Sequence, residues 1–245
     1  MSYPSTLDSH GMRNWATRAV GELAHRRDEI NALNVFPVPD SDTGSNMAHT
    51  MEAAVAELDN GGDVADSLAL GAVRGARGNS GMVLSQVLRG VAESTVDSVI
   101  DGDVFARSLQ QAVELVDRAI AEPVEGTVIT VLKAAAEAAD DAEAQSGATL
   151  HSIVSAAIAA AETALERTPS QLPALREAGV VDAGGAGLVI LLESLLAEIE
   201  GSTGHTGLSE PEPDTELEVV FFFEGDIDTL QAAIAPLGDS LVIAR

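Results

Sequence analysis

Asp40 and Asp42 stand two residues apart in the stretch NALNVFPVPDSDTGSNMAHTM. Pro37 and Pro39 exclude regular helix just before them and stiffen the segment. If the turn at Ser41 is tight, the two carboxylates converge. Thr43, Gly44, Ser45 and Asn46 then open a helix whose first N–H groups point back towards the same place. Hard oxygen ligands beside a helix N-terminus suit Mg2+ with a polyphosphate, because magnesium takes a few carboxylates and completes its octahedron with phosphate and water oxygens. Taken alone, D-x-D-x-G also fits an Asp-rich turn that caps a helix.

A second stretch, Arg74-Gly75-Ala76-Arg77-Gly78-Asn79-Ser80-Gly81, precedes the apolar run MVLSQVL. Its glycines let backbone approach a ligand, and Asn79 and Ser80 supply short polar groups. An ordinary C-cap, turn and N-cap between two helices fits the same residues. It is not a Walker A loop, which needs Gly-Lys-Ser/Thr; the sole lysine, Lys133, lies in the helical run TVITVLKAAAE. Protein kinases need a lysine on a strand and are excluded by the same inventory. Glu125-Gly126-Thr127 starts another helix with a hydroxyl in its first turn. Val181-Asp182-Ala183-Gly184-Gly185-Ala186-Gly187 starts the last one with more glycine than a cap requires. His10, His25, His49, His151 and His205 form no pair at metal spacing; His49, one turn past the aspartates, fits an ordinary helical surface histidine better than a residue facing the site. Ser80 has no evident His or Asp partner for a hydrolase triad.

Helices must position these groups. Apolar residues recur every three to four positions, as in Phe105, Leu109, Val113, Val116 and Ile120 or Leu150, Val154, Ala157, Ala161 and Leu165. Caps and breakers predict about eight helices near 8–29, 45–59, 63–74, 80–93, 103–121, 126–140, 147–167 and 184–199. The chain has 245 residues, 46% hydrophobic and only 3% aromatic, which favours close-packed Ala-, Leu- and Val-rich helices. Its net charge of −26, from 39 acidic and 13 basic side chains, argues against nucleic acid or an anionic membrane as partner. There is no cysteine, so disulfides, thiolate catalysis and zinc–sulfur sites are excluded. No apolar run approaches the roughly 18 residues of a membrane span, and the chain reads as cytoplasmic.

The character changes at Gly201. GSTGHTGLSEPEPDTE reads as a polar linker over 201–216, and 217–245 reads as a β-α-β fragment carrying Phe221, Phe222 and Phe223. That fragment is too short to cover both faces of its own sheet.

Together NALNVFPVPDSDTGSNM, GARGNSGMVLSQ, EGTVITV and LREAGVVDAGGAGL resemble the signature segments of the dihydroxyacetone-kinase-like (DhaL-type) nucleotide-binding domain. Among its branches the sequence is most similar to the N-terminal domain of the fatty-acid kinase A subunit. The resemblance covers about residues 8–200 and implies a kinase domain over 1–200 with an all-α fold, a barrel of about eight antiparallel helices that binds ATP at one end. It implies that Asp40 and Asp42 hold two Mg2+ ions against the phosphates. An earlier aspartate of related kinases is replaced near Asn34, so either the Asn34 amide oxygen ligates or phosphate and water complete the shell. It further implies nucleotide contacts at Thr43, Gly44, Ser45, Asn46, Gly78, Asn79, Ser80, Gly81, Thr127, Asp182, Gly184 and Gly185. The implied reaction is ATP-dependent phosphorylation of a fatty acid, held by a DegV-type partner, to an acyl phosphate and ADP. A dihydroxyacetone-type kinase subunit and a nucleotide-binding regulatory module are the alternatives. The tail then resembles the opening of a middle domain, and a homodimer is possible.

Overall fold

The computed structural model describes residues 3–201. Polar residues begin half of its ten α-helices by accepting from first-turn amides: Asp8 from Gly11 N, Asp63 from Ala65 N, Asp101 from Val104 N, Thr149 from Ser152 N and Asp182 from Gly185 N. The α-helices are α1 (Ser9–His25), α2 (Arg27–Leu33), α3 (Thr43–Glu57), α4 (Val64–Arg74), α5 (Gly78–Ser94), α6 (Gly102–Ala119), α7 (Val128–Glu143), α8 (Leu150–Gln171), α9 (Pro173–Ala178) and α10 (Ala183–Glu200). Among the described residues there is no strand, only the isolated bridges Leu7–Ile100 and Val96–Val99. The fold is all-α, as expected.

The count is ten rather than eight, for local reasons. The segment expected at 8–29 breaks at Arg26, whose φ of −98° and ψ of 10° end α1 and start α2. Periodicity cannot see this break because no Gly or Pro marks it. Pro173 supplies the first residue of the short α9, where a missing N–H costs nothing. Helix α8 passes Pro169, near which it was expected to stop. The Leu165 carbonyl, which a proline at 169 cannot bond, accepts instead from Thr168 Oγ1 at 2.7 Å. Arg176 then donates to the carbonyls of Pro169 and Ser170 at the end of α8.

Leaving aside the short α2 and α9, each helix packs on the next in chain order; α10 closes on α1, and α1 on α3, giving a ring of eight. Neighbours run antiparallel. Asn14 of α1 reaches Glu198 near the end of α10, whereas Leu23 lies beside Gly187 near its start. Met12, Leu23, Met51, Leu84, Leu132, Ile153 and Leu188 fill the core with less than 2% exposure. Burial of each such side chain is worth about 1.5–3 kcal/mol. Helix α10 is apolar on nearly every side and is buried accordingly. Alternation in the ring brings the N-termini of α3, α5, α7 and α10 to one rim. No helix of the described residues is long and apolar enough to cross a membrane. The expected linker after Gly201 and the β-α-β tail lie outside the described residues.

Candidate functional site

The four stretches singled out by residue type are the starts of those four helices. At the first, Ser41 adopts φ of +60°, the tight turn that convergence of the aspartates requires. One donor touches both carboxylates: Asn34 Nδ2 lies 2.5 Å from Asp40 Oδ1 and 3.4 Å from Asp42 Oδ1. Asn46 Nδ2 donates to the other Asp42 oxygen at 2.7 Å. Asn34 and Asn46 are buried, with 6% and 5% exposure. Asn34 therefore joins the pair, but presents its NH2 group rather than the oxygen considered as a ligand. An amide turned about χ2 would present Oδ1 at the same place.

Two carboxylate oxygens converging on one polarised N–H group fit a divalent cation. Among the described residues no cluster of three His, Cys, Asp or Glu side chains could hold a metal unaided. A cation here would complete its shell with Asn34, phosphate or water. The Gly44 and Ser45 amides do not point back to the aspartates as the sequence suggested. Both donate to Asn31 Oδ1 of α2, at 2.7 and 3.1 Å. Gly44 is required by this approach, since a Cβ there would lie 2.4 Å from the Arg27 carbonyl oxygen.

The second stretch is locked to the first. Gly78 has φ of +62°, and a Cβ on it would lie 2.3 Å from Asn46 Nδ2. Thr50 Oγ1 accepts from Arg77 N at 3.2 Å and donates to Asn46 O at 2.7 Å. Among the described residues, no hydrogen bond engages the Asn79 and Ser80 amides or their side chains, and both residues are half-buried. They form a cradle of donors beside the carboxylates. Arg74 is drawn to Glu57 at 3.0 Å, towards the other end of α3, whereas Arg77 sits beside His49. Burial lowers the His49 pKa and the Arg77 charge lowers it further, so the imidazole is neutral near pH 7.

The third and fourth starts share one carboxylate. Thr127 Oγ1 donates to Val124 O at 2.8 Å and leaves α7 without a cap from its own N-cap residue. The Asp182 carboxylate instead accepts from Gly185 N in α10 at 2.7 Å and faces the Val128 amide at the start of α7. Its own N–H donates to Thr168 Oγ1, the hydroxyl that also bridges the Pro169 gap. The glycines that exceeded the needs of a cap are contact points. A Cβ would meet Val128 at Gly184, Val131 at Gly185 and Met47 Sδ at Gly187. Asp182, Gly184 and Gly185 thus hold α10 against α7, and Gly187 holds it against α3. Thr168, Thr50 and Asn31 escaped the sequence reading because polar residues inside helical periods carry no local mark of a distant partner.

Burial raises the Asp182 pKa from 3.8 to about 6, with the two amide bonds opposing the shift. The folded state therefore favours the protonated form. That contribution to stability is fully present below about pH 3.8 and is lost as pH rises through about 6. Asp182→Asn stays neutral and can still accept a hydrogen bond. Its melting temperature relative to the unmodified chain is expected to climb between about pH 4 and about pH 7. A difference that stays flat across this window would show that the carboxylate ionises without penalty.

The described residues thus form an all-α ring with a carboxylate pair and a glycine-flanked cradle at one rim. The DAK2 domain family matches residues 37–197, and the chain belongs to that family, the dihydroxyacetone-kinase-like, DhaL-type class. Protein YloV of Bacillus subtilis (strain 168) is 39% identical over 204 residues, which are 81% of this chain and 37% of that protein. Uncharacterized protein SAUSA300_1119 of Staphylococcus aureus (strain USA300) is 37% identical over 213 residues, 84% of this chain and 39% of its own length. The chain thus spans less than two fifths of either relative. The dihydroxyacetone kinase from C. freundii, solved in complex with AMP-PNP and Mg2+, matches with a TM-score of 0.54 at 21% identity, over 77% of this chain and 33% of that one. Its native form gives 0.51 at 17% identity, over 80% and 36%. At these identities the likeness is one of fold.

Proposed function

We propose that the chain is an ATP- and Mg2+-dependent phosphotransferase domain that phosphorylates a fatty acid, presented by a DegV-type binding protein, to an acyl phosphate. The observation that carries the phosphotransfer reading is the Asp40–Asp42 pair, gathered by Asn34 and Asn46 at the rim where four helices begin. Asp40 and Asp42, with Asn34, would hold one or two magnesium ions, which would draw the phosphates in and offset charge as the γ-phosphoryl group moves. Thr43, Ser45, Asn79 and Ser80 would then face the phosphates, while Gly78 and Gly81 let the start of α5 pack closely on Asn46 and Thr50 of α3. Thr127 would stand at the far edge of the nucleotide, an edge that Gly184 and Gly185 fix by letting α10 pack closely on α7. Helix N-termini supply positive potential that a protein of net charge −26 otherwise lacks. An oxygen of the acceptor carboxylate attacks the γ-phosphorus as its bond to the β,γ-bridging oxygen breaks, giving acyl phosphate and ADP. A carboxylate arrives deprotonated, so this transfer asks no base of the protein. The reaction places the domain in the cytoplasm, where ATP is available.

The acyl acceptor rests on motif resemblance to the fatty-acid kinase branch. The fold likeness to dihydroxyacetone kinase favours a second reading, transfer to a small hydroxyketone. ADP release measured with each acceptor, the fatty acid loaded on its binding protein, separates the two. Metal and nucleotide are expected to bind together. Mg2+ with AMP-PNP should raise the melting temperature by the equivalent of about 2.7 kcal/mol at a hundredfold excess over Kd, and either alone should do much less. Equal shifts with and without Mg2+ would show that no cation bridges carboxylates and phosphates.

A further inference from the structure

Asp42 occupies the N-cap of α3, and its residue type is among those that cap best. Its side chain nevertheless makes no cap bond. The cap comes from Asn31, in the last turn of α2. Asn31 Oδ1 accepts from Gly44 N at 2.7 Å and from Ser45 N at 3.1 Å, and Asn31 Nδ2 donates to Ser45 Oγ at 3.1 Å. Both faces of one amide are thus spent on the first turn of a helix that begins twelve residues later. The Asp42 carboxylate, relieved of that task, turns to Asn34 and Asn46 and stands beside Asp40.

We propose that Asn31 is a positioning residue for the cation site: by capping α3 in place of Asp42, it keeps the Asp42 carboxylate aimed at the metal. The inference rests on the reading of Asp42 as a cation ligand. It has a consequence that a purely structural cap would lack. When Asn31 is shortened to alanine, the Gly44 and Ser45 amides lose their acceptor, and the nearest replacement is Asp42 itself. Helix α3 remains capped in the ordinary way, but one carboxylate swings away from Asp40. The helix survives and the cation site does not.

The test is Mn2+ binding to the full chain without nucleotide, followed by the electron paramagnetic resonance signal of the free ion, together with the melting temperature of the metal-free chain. Asn31→Ala should weaken Mn2+ binding by about tenfold or more, the range in which outer-shell partners act on a metal. Its melting temperature should fall by no more than about 3 °C, because Asp42 takes over the cap. Asn31→Asp restores an acceptor for both amides at a helix N-terminus, where negative charge is favoured. It should bind Mn2+ within about threefold of the unmodified chain, a retention bounded by the tenfold outer-shell effect. Unchanged Mn2+ affinity in Asn31→Ala would overturn the proposal, and so would loss of the fold in that variant, which would make Asn31 a structural cap only. Absence of Mn2+ binding in the unmodified chain would instead remove the cation reading of Asp42 on which the proposal stands.

Discussion

Asp42→Ala is expected to lower phosphoryl transfer by about a thousandfold or more while the helical ring stays folded. Asp42 meets both Asn34 and Asn46. Its removal deletes a ligand and leaves Asn46, only 5% exposed, with an unanswered amide. An unsatisfied buried donor costs about 1–3 kcal/mol. Relief of repulsion between neighbouring carboxylates offsets part of that. The net effect on the metal-free chain is a fall of a few degrees, smaller still for Asp40→Ala, which touches only Asn34. Asp40→Ala should nevertheless abolish transfer to the same extent. ADP release and metal-free melting temperature measured on both variants decide the matter. Activity near that of the unmodified chain in either would take that aspartate out of the cation site.

A single added methyl group at Gly78 should be nearly as damaging, lowering kcat/KM by about a hundredfold. Two effects combine at this position. The backbone is at φ of +62°, which costs a residue with a side chain about 1 kcal/mol. The new Cβ would also lie 2.3 Å from Asn46 Nδ2 and 3.1 Å from its Cγ. Asn46 is buried and short, so it can yield only by leaving Asp42, to which it is bonded at 2.7 Å. Gly147→Ala separates the two effects. Gly147 has φ of +83° but nothing within 4 Å of an added Cβ. It should lose stability as Gly78→Ala does and keep its activity. Equal kinetic losses in both variants would mean that backbone strain, not the push on Asn46, disables the chain.

The sequence by itself determined most of the helices and marked the candidate site. Apolar spacing fixed which faces turn inward, and caps such as Asp63, Asp101 and Thr149 fixed where helices start, because both depend on residues within a turn of one another. The Asp40–Asp42 pair and the glycine-flanked stretches were legible for the same reason: residue types at short spacing limit what a turn can do. The break at Arg26 was not, since no Gly or Pro marks it, and the short α9 that Pro173 opens was missed. Only the tertiary structure decided which side chain serves which helix start. Asn31 caps α3, Thr50 holds the entry to α5, and Asp182 ties α7 to α10. The hydrogen-bonded partners lie 13 residues apart for Asn31 and Gly44, 27 for Thr50 and Arg77, and 14 for Thr168 and Asp182. Hydrogen bonds of that span depend on which helices pack together, and the ring brings alternate N-termini to one rim. Local periodicity carries the faces of helices but not the neighbours those faces will meet, and the aim of the Asp42 carboxylate depends on the neighbours.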